Sequence, residues 1–379
     1  MKRVTHIARH ARSVRARSSK NSFGISSGKS SLLSHQSVHI KLVIGAGVTG
    51  CTVAKILAEK GFSVLLVERC KLPRYKSCSG VLIKKSIDLI SKYFNAEIPQ
   101  SVMCTPFDNR GMIICNDKNQ ILRYEQKGLN IWRSSFDYWL LSHAVSVGAK
   151  NFDETSVIKC TQANNCVTVT LSGKHSCEIK AKFVIDCGGA TNHIKRQLIG
   201  GKKDYIITYQ TFNNGNINLD YHYFYAYLQR ELSEYDAWFN VKDDMLVLGV
   251  AVKNNENIQM YYDKFIEYMR QQYGLNIDKQ LKAEKWVMPH IRPNCKIDYG
   301  CGNVLFAGET AGFLNPMGEG ISAGLESGFC VASSVINNFN NAKLAINEYK
   351  ELTTELHEYL KRQWNLTAML SNNFKEMKI

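Results

Sequence analysis

The chain has 379 residues, with 48 Lys and Arg against 33 Asp and Glu for a net charge of +15, and 45% of it is hydrophobic. That is the length of about two domains and the composition of a soluble globular protein, and no apolar run reaches the eighteen residues that a transmembrane helix needs. The twelve cysteines form no CxxC pair and no zinc-like Cys/His spacing, which argues against a disulfide scaffold and a structural metal and points to a reducing compartment.

Half of the charge excess sits at the amino terminus. Residues 1–40 hold eight of the basic residues and no acid, leaving 40 basic and 33 acidic residues, a net of +7, for 41–379. As a helix, Lys2 to Ser18 would gather Val4, Ile7, Ala8, Ala11 and Val14 on one face, opposite Lys2, Arg9, Arg12 and Arg17. Residues 1–38 read as an organelle transit peptide or as a disordered basic tail, so the protein is expected in the cytoplasm or in an organelle matrix. A nucleic-acid partner is not expected, because the tail has a single aromatic residue, Phe23, and the body offers no binding motif.

The folded chain is expected to start near His39. Leu42 to Ile44 read as a buried strand, followed by Gly45-Ala46-Gly47-Val48-Thr49-Gly50 and a helix over Thr49 to Lys60 that stops at Gly61. Gly45 lets the chain turn, Gly47 admits a pyrophosphate, and Gly50 lets the helix pack on the strand. The helix amino terminus favours phosphate through its free N–H groups and its dipole. Phe62 to Val67 form a second buried strand that ends at Glu68, where a carboxylate can accept both hydroxyls of a ribose. This unit predicts an adenine dinucleotide, leaving NAD and FAD open.

Lys71 to Gly80, KLPRYKSCSG, is a loop, and a helix is predicted from about Val81 to Tyr93. Ile113 to Tyr124 alternate as short strands. A further helix, capped by Ser134 or Ser135, carries Phe136, Leu140, His143, Ala144 and Val147 on one face and ends at Gly148. Val157 to Val184 read as a small antiparallel sheet, and Phe183 to Asp186 as a strand entering Cys187-Gly188-Gly189-Ala190. Tyr205 to Tyr227 and Tyr235 to Val252 look like strands of a second domain, and His290 reads as a loop residue. Val304 to Ala307 form another short strand, followed by the turn Gly308-Glu309 and by a glycine-rich loop with Gly318 and Gly320 that opens a helix at Ile321. Glu309 can accept from ribityl hydroxyls, and that helix can direct its positive end at the N1–C2=O edge of a flavin.

GAGVTG at Gly45 to Gly50, Glu68-Arg69, KSCSG at Lys76 to Gly80, RSSFDYWL at Arg133 to Leu140 and GETAGFLNPMGEGI at Gly308 to Ile321 together resemble the geranylgeranyl reductase family of FAD-dependent oxidoreductases, which shares the para-hydroxybenzoate hydroxylase fold. The resemblance implies a mixed α/β fold: a Rossmann-type FAD/NAD(P)-binding domain, a mainly antiparallel-sheet substrate domain and a C-terminal helical tail. It implies that Gly45, Gly47, Gly50, Glu68, Arg133, Gly308 and Glu309 hold FAD, with Ala46, Val48, Thr49, Arg69, Gly318, Gly320 and Ile321 beside them, and that Cys78-Ser79-Gly80 lies near the flavin. A thiol at Cys78 can donate a proton, shape the pocket or serve as a small buried hydrophobe.

Three departures stand out. Gly188-Gly189 replaces an Asp-Gly pair, and Tyr235-Asp236-Ala237-Trp238-Phe239-Asn240 replaces the family's Tyr-x-Trp-x-Phe-Pro cavity strand. The Trp-x-Trp-x-Ile-Pro pattern of halogenases is missing. Cys78, Gly80, Tyr235 and Trp238 are the expected pocket residues; no single catalytic residue and no metal ligand is assigned.

The expected organisation is a cofactor domain from 39–85, 130–200 and 296–335, a substrate domain from 86–129 and 201–295, and helices over 336–379. The expected reaction is reduction of a carbon–carbon double bond in an apolar, isoprenoid-like small molecule, with NAD(P)H or another external electron donor. Docking at a membrane surface is compatible with the residual +7. An FAD monooxygenase and a non-enzymatic flavin-fold interaction protein are the alternatives.

Overall fold

A computed structural model describes residues 40–377 apart from 164, 192, 202 and 203. The transit-peptide or tail reading of 1–38 lies outside the described residues.

A six-stranded sheet runs in the order Gly300–Cys301, Val304–Phe306, Phe183–Asp186, Lys41–Ile44, Val64–Val67 and Lys150–Phe152. All pairings are parallel except that between the first two strands. Its central strands are buried on both faces, so they read as unbroken apolar runs rather than alternating ones. In register, Ile44 lies beside Val67 and Asp186, and Asp186 beside Phe306. The turns that follow, at Gly45, Glu68, Gly188 and Gly308, therefore leave the sheet along one edge. That carboxyl edge is where open α/β sheets bind ligands.

The first helix, Val48–Glu59, packs against Arg133–Ser146 and against Ile321–Asn337. Gly324 and Gly328, one turn apart, face Thr49 and Thr52 and bring the two helix backbones close together.

The second sheet has eight strands in the order Asn276–Pro289, Tyr205–Asn216, Met245–Val252, Ala237–Lys242, Tyr223–Tyr227, Met103–Cys115, Ile121–Ile131 and Val81–Leu82. One face packs on helix Ile258–Tyr273 through Phe239, Val241, Leu248 and Val250 against Phe265, Ile266 and Met269. Thr155–Ala163, Cys166–Gly173 and Glu178–Ala181 form the small antiparallel sheet, and helices Ala342–Leu352, Thr354–Leu370 and Asn372–Glu376 close the chain.

Several expectations need correction. Val81–Leu82 is a strand paired with Leu129 and Asn130, and the helix begins only at Lys84. Residues 81–82 and 130–131 lie in the eight-stranded sheet. The segment around Ile113–Tyr124 is the tip of a long hairpin, not a pair of short strands. Helix Arg133–Ser146 starts after Trp132 without a side-chain cap, so neither Ser134 nor Ser135 caps it. The sequence reading also passed over helix Ile258–Tyr273, whose buried Ile258, Tyr262, Phe265, Ile266 and Met269 have helical spacing.

Candidate active site

The glycine turn is locked from both sides. Gly45 adopts φ +92°, and a Cβ there would fall 2.8 Å from the Cys187 carbonyl oxygen; one at Gly50 would overlap the Gly45 oxygen. Only glycine allows strand, turn and helix to approach this closely. Glu68 is buried at the end of its strand, where its carboxylate accepts from Ala46 N at 2.9 Å and Cys70 N at 3.0 Å. The helix that follows has Gly47 as its cap and no side-chain capping bond, so its first N–H groups remain for a ligand.

A relay of charges extends from Glu68. Arg74 Nε lies 3.1 Å from Glu68, and its Nη1 lies 3.2 Å from Asp137. Asp137 also accepts two bonds from Arg133, at 2.8 and 2.9 Å. These bonds join the ends of three chain segments in one buried network. Arg74 also overlooks the pyrophosphate side of the turn, with Nη2 3.3 Å from where a Gly47 Cβ would sit. The sequence reading missed Arg74 and Asp137; the signals were the arginine inside the KLPRYKSCSG loop and the i, i+4 spacing of Asp137 from Arg133.

The same loop ties the two sheets together. Tyr75 OH donates to Glu284 at 2.7 Å, and Gln210 donates to Glu284 at 2.6 Å and to Ser77 at 3.3 Å. Asn240 donates to the Ser79 carbonyl and Lys242 to the Cys78 carbonyl, both at 3.3 Å. Lys76 pairs with Glu309 at 3.3 Å, linking the loop to the late glycine motif. Burial opposes a Cys78 thiolate, but Arg133, Lys242 and the Gly80 N–H outweigh burial and hold the thiol below its ordinary pKa.

At the late motif, Gly308 rests on Thr49 and its N–H donates to Ser327 Oγ at 3.1 Å. Helix Ile321–Asn337 starts at Gly320 without a cap from that residue. Glu319, however, accepts from Ser322 N at 2.8 Å, so one amide of the expected dipole site is already used. Asp186 precedes Gly188-Gly189 at the end of its strand. Asp186 accepts from Gly188 N at 2.9 Å, its other oxygen is buried without a partner, and burial pushes its pKa up to about 6.

These parts line one cavity of about 540 Å³. Gly45, Gly47, Val48, Thr49, Glu68, Arg69, Cys78, Arg133, Trp238, Glu309, Gly318, Gly320 and Ile321 reach its wall. Ala46, Gly50, Gly80 and Gly308 do not line it. Tyr235 is not brought there: its ring packs on Phe374, with centroids 4.5 Å apart. Side chains two apart share a strand face, so Asp236, Trp238, Asn240 and Lys242 face the loop and cavity while Ala237, Phe239 and Val241 enter the core beneath helix Ile258–Tyr273.

The residues fit FAD. A cradle that Cβ atoms would fill, a strand-end carboxylate and a second glycine motif on the same cavity suit the two halves of the cofactor. Fold and site define a flavoprotein of the oxidoreductase class. Residues 39–320 match the family described as FAD binding domain, and the chain belongs to that family. It is similar to digeranylgeranylglycerophospholipid reductase 2 of Methanosphaera stadtmanae, with 24% identity over 83% of this chain and 82% of that protein. It is equally similar, at 24% identity over 79% and 76% of the two chains, to the 1H-pyrrole-2-carbonyl-[peptidyl-carrier protein] chlorinase of Pseudomonas fluorescens. In structure it resembles a geranylgeranyl bacteriochlorophyll reductase-like protein of Thermoplasma acidophilum, with a TM-score of 0.74, 20% identity and 90% of each chain covered. Among the described residues no helix is long and apolar enough to cross a membrane, and no His/Cys/Asp/Glu cluster could hold a metal.

Proposed function

We propose that this protein reduces a carbon–carbon double bond in an apolar, isoprenoid-like substrate. The observation that carries this reading is the cavity wall beyond the glycine motifs, built from Phe224, Trp238, Trp286, Met288, Leu314 and Met317. Bound FAD, once reduced, supplies the hydride. Glu68, Ala46 and the Val48–Glu59 amino terminus would bind the ADP half, with Arg74 facing the pyrophosphate. Glu309 would accept from the ribityl chain, and Arg133 with the Cys78–Gly80 loop would border the ring. The apolar wall would orient the substrate and exclude water. In this division of labour, 39–85, 130–200 and 296–335 serve the cofactor and 86–129 and 201–295 the substrate. NAD(P)H or another external donor would renew the reducing equivalents, and a lipid-like substrate would be collected at a membrane surface.

An oxygen-dependent reaction on the same fold is the second reading, favoured by the similarity to a chlorinase. Anaerobic turnover separates the two. Substrate reduction that continues without oxygen supports the reductase, and product formation that requires oxygen overturns it.

A further inference from the structure

The wall contributed by the eight-stranded sheet carries a single acid, Asp236. It is 7% exposed, and its carbonyl accepts from Ala251 N at 2.8 Å, so the pleat fixes its side chain on the Trp238 face. The sheet row through Ala251, Thr208 and Trp286 places no charge beside it. Among the described residues no hydrogen bond or ion pair reaches its carboxyl group, and the neighbouring Tyr235 phenol is kept neutral by burial.

Of the other acidic groups on the cavity, Glu68 is held by Arg74 and Glu309 by Lys76, while Asp186, which also keeps one oxygen without a partner, stands on the parallel sheet beside Gly188 and not on the eight-stranded sheet. Arg133 and Lys242 pull Cys78 toward its thiolate, the form that donates no proton. An acid without a partner in an apolar wall stays protonated, because burying its charge costs more than burying the neutral form. Burial alone pushes its pKa up to about 7, near the working range of a general acid.

We infer that Asp236 is the proton donor of the reduction, delivering its carboxyl proton to the alkene carbon next to the one that receives the hydride; this rests on the reductase reading above. The alkene π pair forms a C–H bond with that proton. The hydride pair, supplied by reduced FAD and replaced by an external two-electron donor, forms the other. The Asp236 carboxylate then regains a proton from solvent.

The test uses the wild type, Asp236→Asn and Asp236→Glu, each FAD-loaded, reduced with dithionite without oxygen and mixed with geranylgeraniol. Wild-type minus Asp236→Asn infrared spectra read the carboxyl group independently of turnover. A protonated-carboxyl band at pH 6 that fades as pH rises through about 7 is expected. Flavin reoxidation by geranylgeraniol should slow about 100-fold or more in Asp236→Asn and recover in Asp236→Glu, with flavin content unchanged. An ionised Asp236 at pH 6, or an Asp236→Asn variant as fast as the wild type, overturns the donor role alone. A wild type that geranylgeraniol does not reoxidise overturns the reductase reading and the donor role with it. If Asp236→Asn loses FAD, the wild-type rate profile decides: a rate that does not fall through pH 7 overturns the donor role.

Discussion

The indole of Trp238 lies across the backbone of Gly249, its cross-strand partner, in the space that a side chain at 249 would fill. This lets a large ring lie along the sheet and floor the cavity. Gly249→Ala should push the ring upward and cost about 1–3 kcal/mol, as overpacking does in a filled core. Denaturant unfolding together with tryptophan emission checks this. Unchanged stability with unchanged emission would show that the ring has room the structure does not reveal.

Glu68 joins the glycine turn to Arg74, so its removal should weaken cofactor binding more than it weakens the fold. Glu68→Ala deprives Ala46 N of its acceptor, leaves Arg74 with Asp137 only, and takes away the expected acceptor for the ribose. A lost bond to a charged group is worth about 1.5–3 kcal/mol, which corresponds to an FAD Kd raised roughly 10- to 150-fold. Titration of the apoprotein with FAD, followed by fluorescence, measures the change; a Kd within threefold of wild type would remove Glu68 from the site.

The cofactor cradle was legible because its chemistry lies in contiguous spacing: strand, Gly45 to Gly50, helix, strand, Glu68, and later Gly308-Glu309. The charge relay was not, because Arg74 and Asp137 belong to distant segments that only the fold brings within 3.2 Å. The pocket strand failed for a different reason. Asp236, Asn240 and Lys242 alternate with Ala237, Phe239 and Val241, but all of Ala237–Lys242 is buried, so burial does not separate the cavity face from the core face. The sequence reading places Tyr235 in the pocket, whereas that alternation places Asp236 there.

Burial of Asp236 and Asp186 sets a pH dependence of definite sign. Their folded pKa values, about 7 and about 6, lie above the ordinary 3.8. Between pH 4 and 7 the folded state therefore binds more protons than the unfolded state, and stability falls as pH rises through that window. Asp236→Asn, which mimics the neutral acid, should gain on the order of 4 kcal/mol over wild type at pH 8 and far less at pH 4. Denaturant unfolding at both pH values measures the gap. A gain of equal size at both would mean that Asp236 carries its charge in the folded protein.

Cys78 should behave in the opposite sense to Asp236 and Asp186. It is half-buried, with Arg133 and Lys242 stabilising its thiolate against the cost of burial, whereas exposed Cys177 has no cation to offset desolvation and is shifted upward. Because the thiolate is the reacting form, iodoacetamide at pH 7 should label Cys78 several-fold faster than Cys177 once FAD is removed, despite its lesser exposure. Lys242→Met removes one of the stabilising charges and should move the alkaline onset of Cys78 labelling upward while leaving Cys177 unaffected. Peptide mass mapping across pH reads both sites in one sample. If Cys78 and Cys177 label with the same onset, or if Lys242→Met leaves the Cys78 onset in place, the Arg133–Lys242 pair does not hold the thiolate, and Cys78 returns to contention as the group that carries a proton beside the flavin.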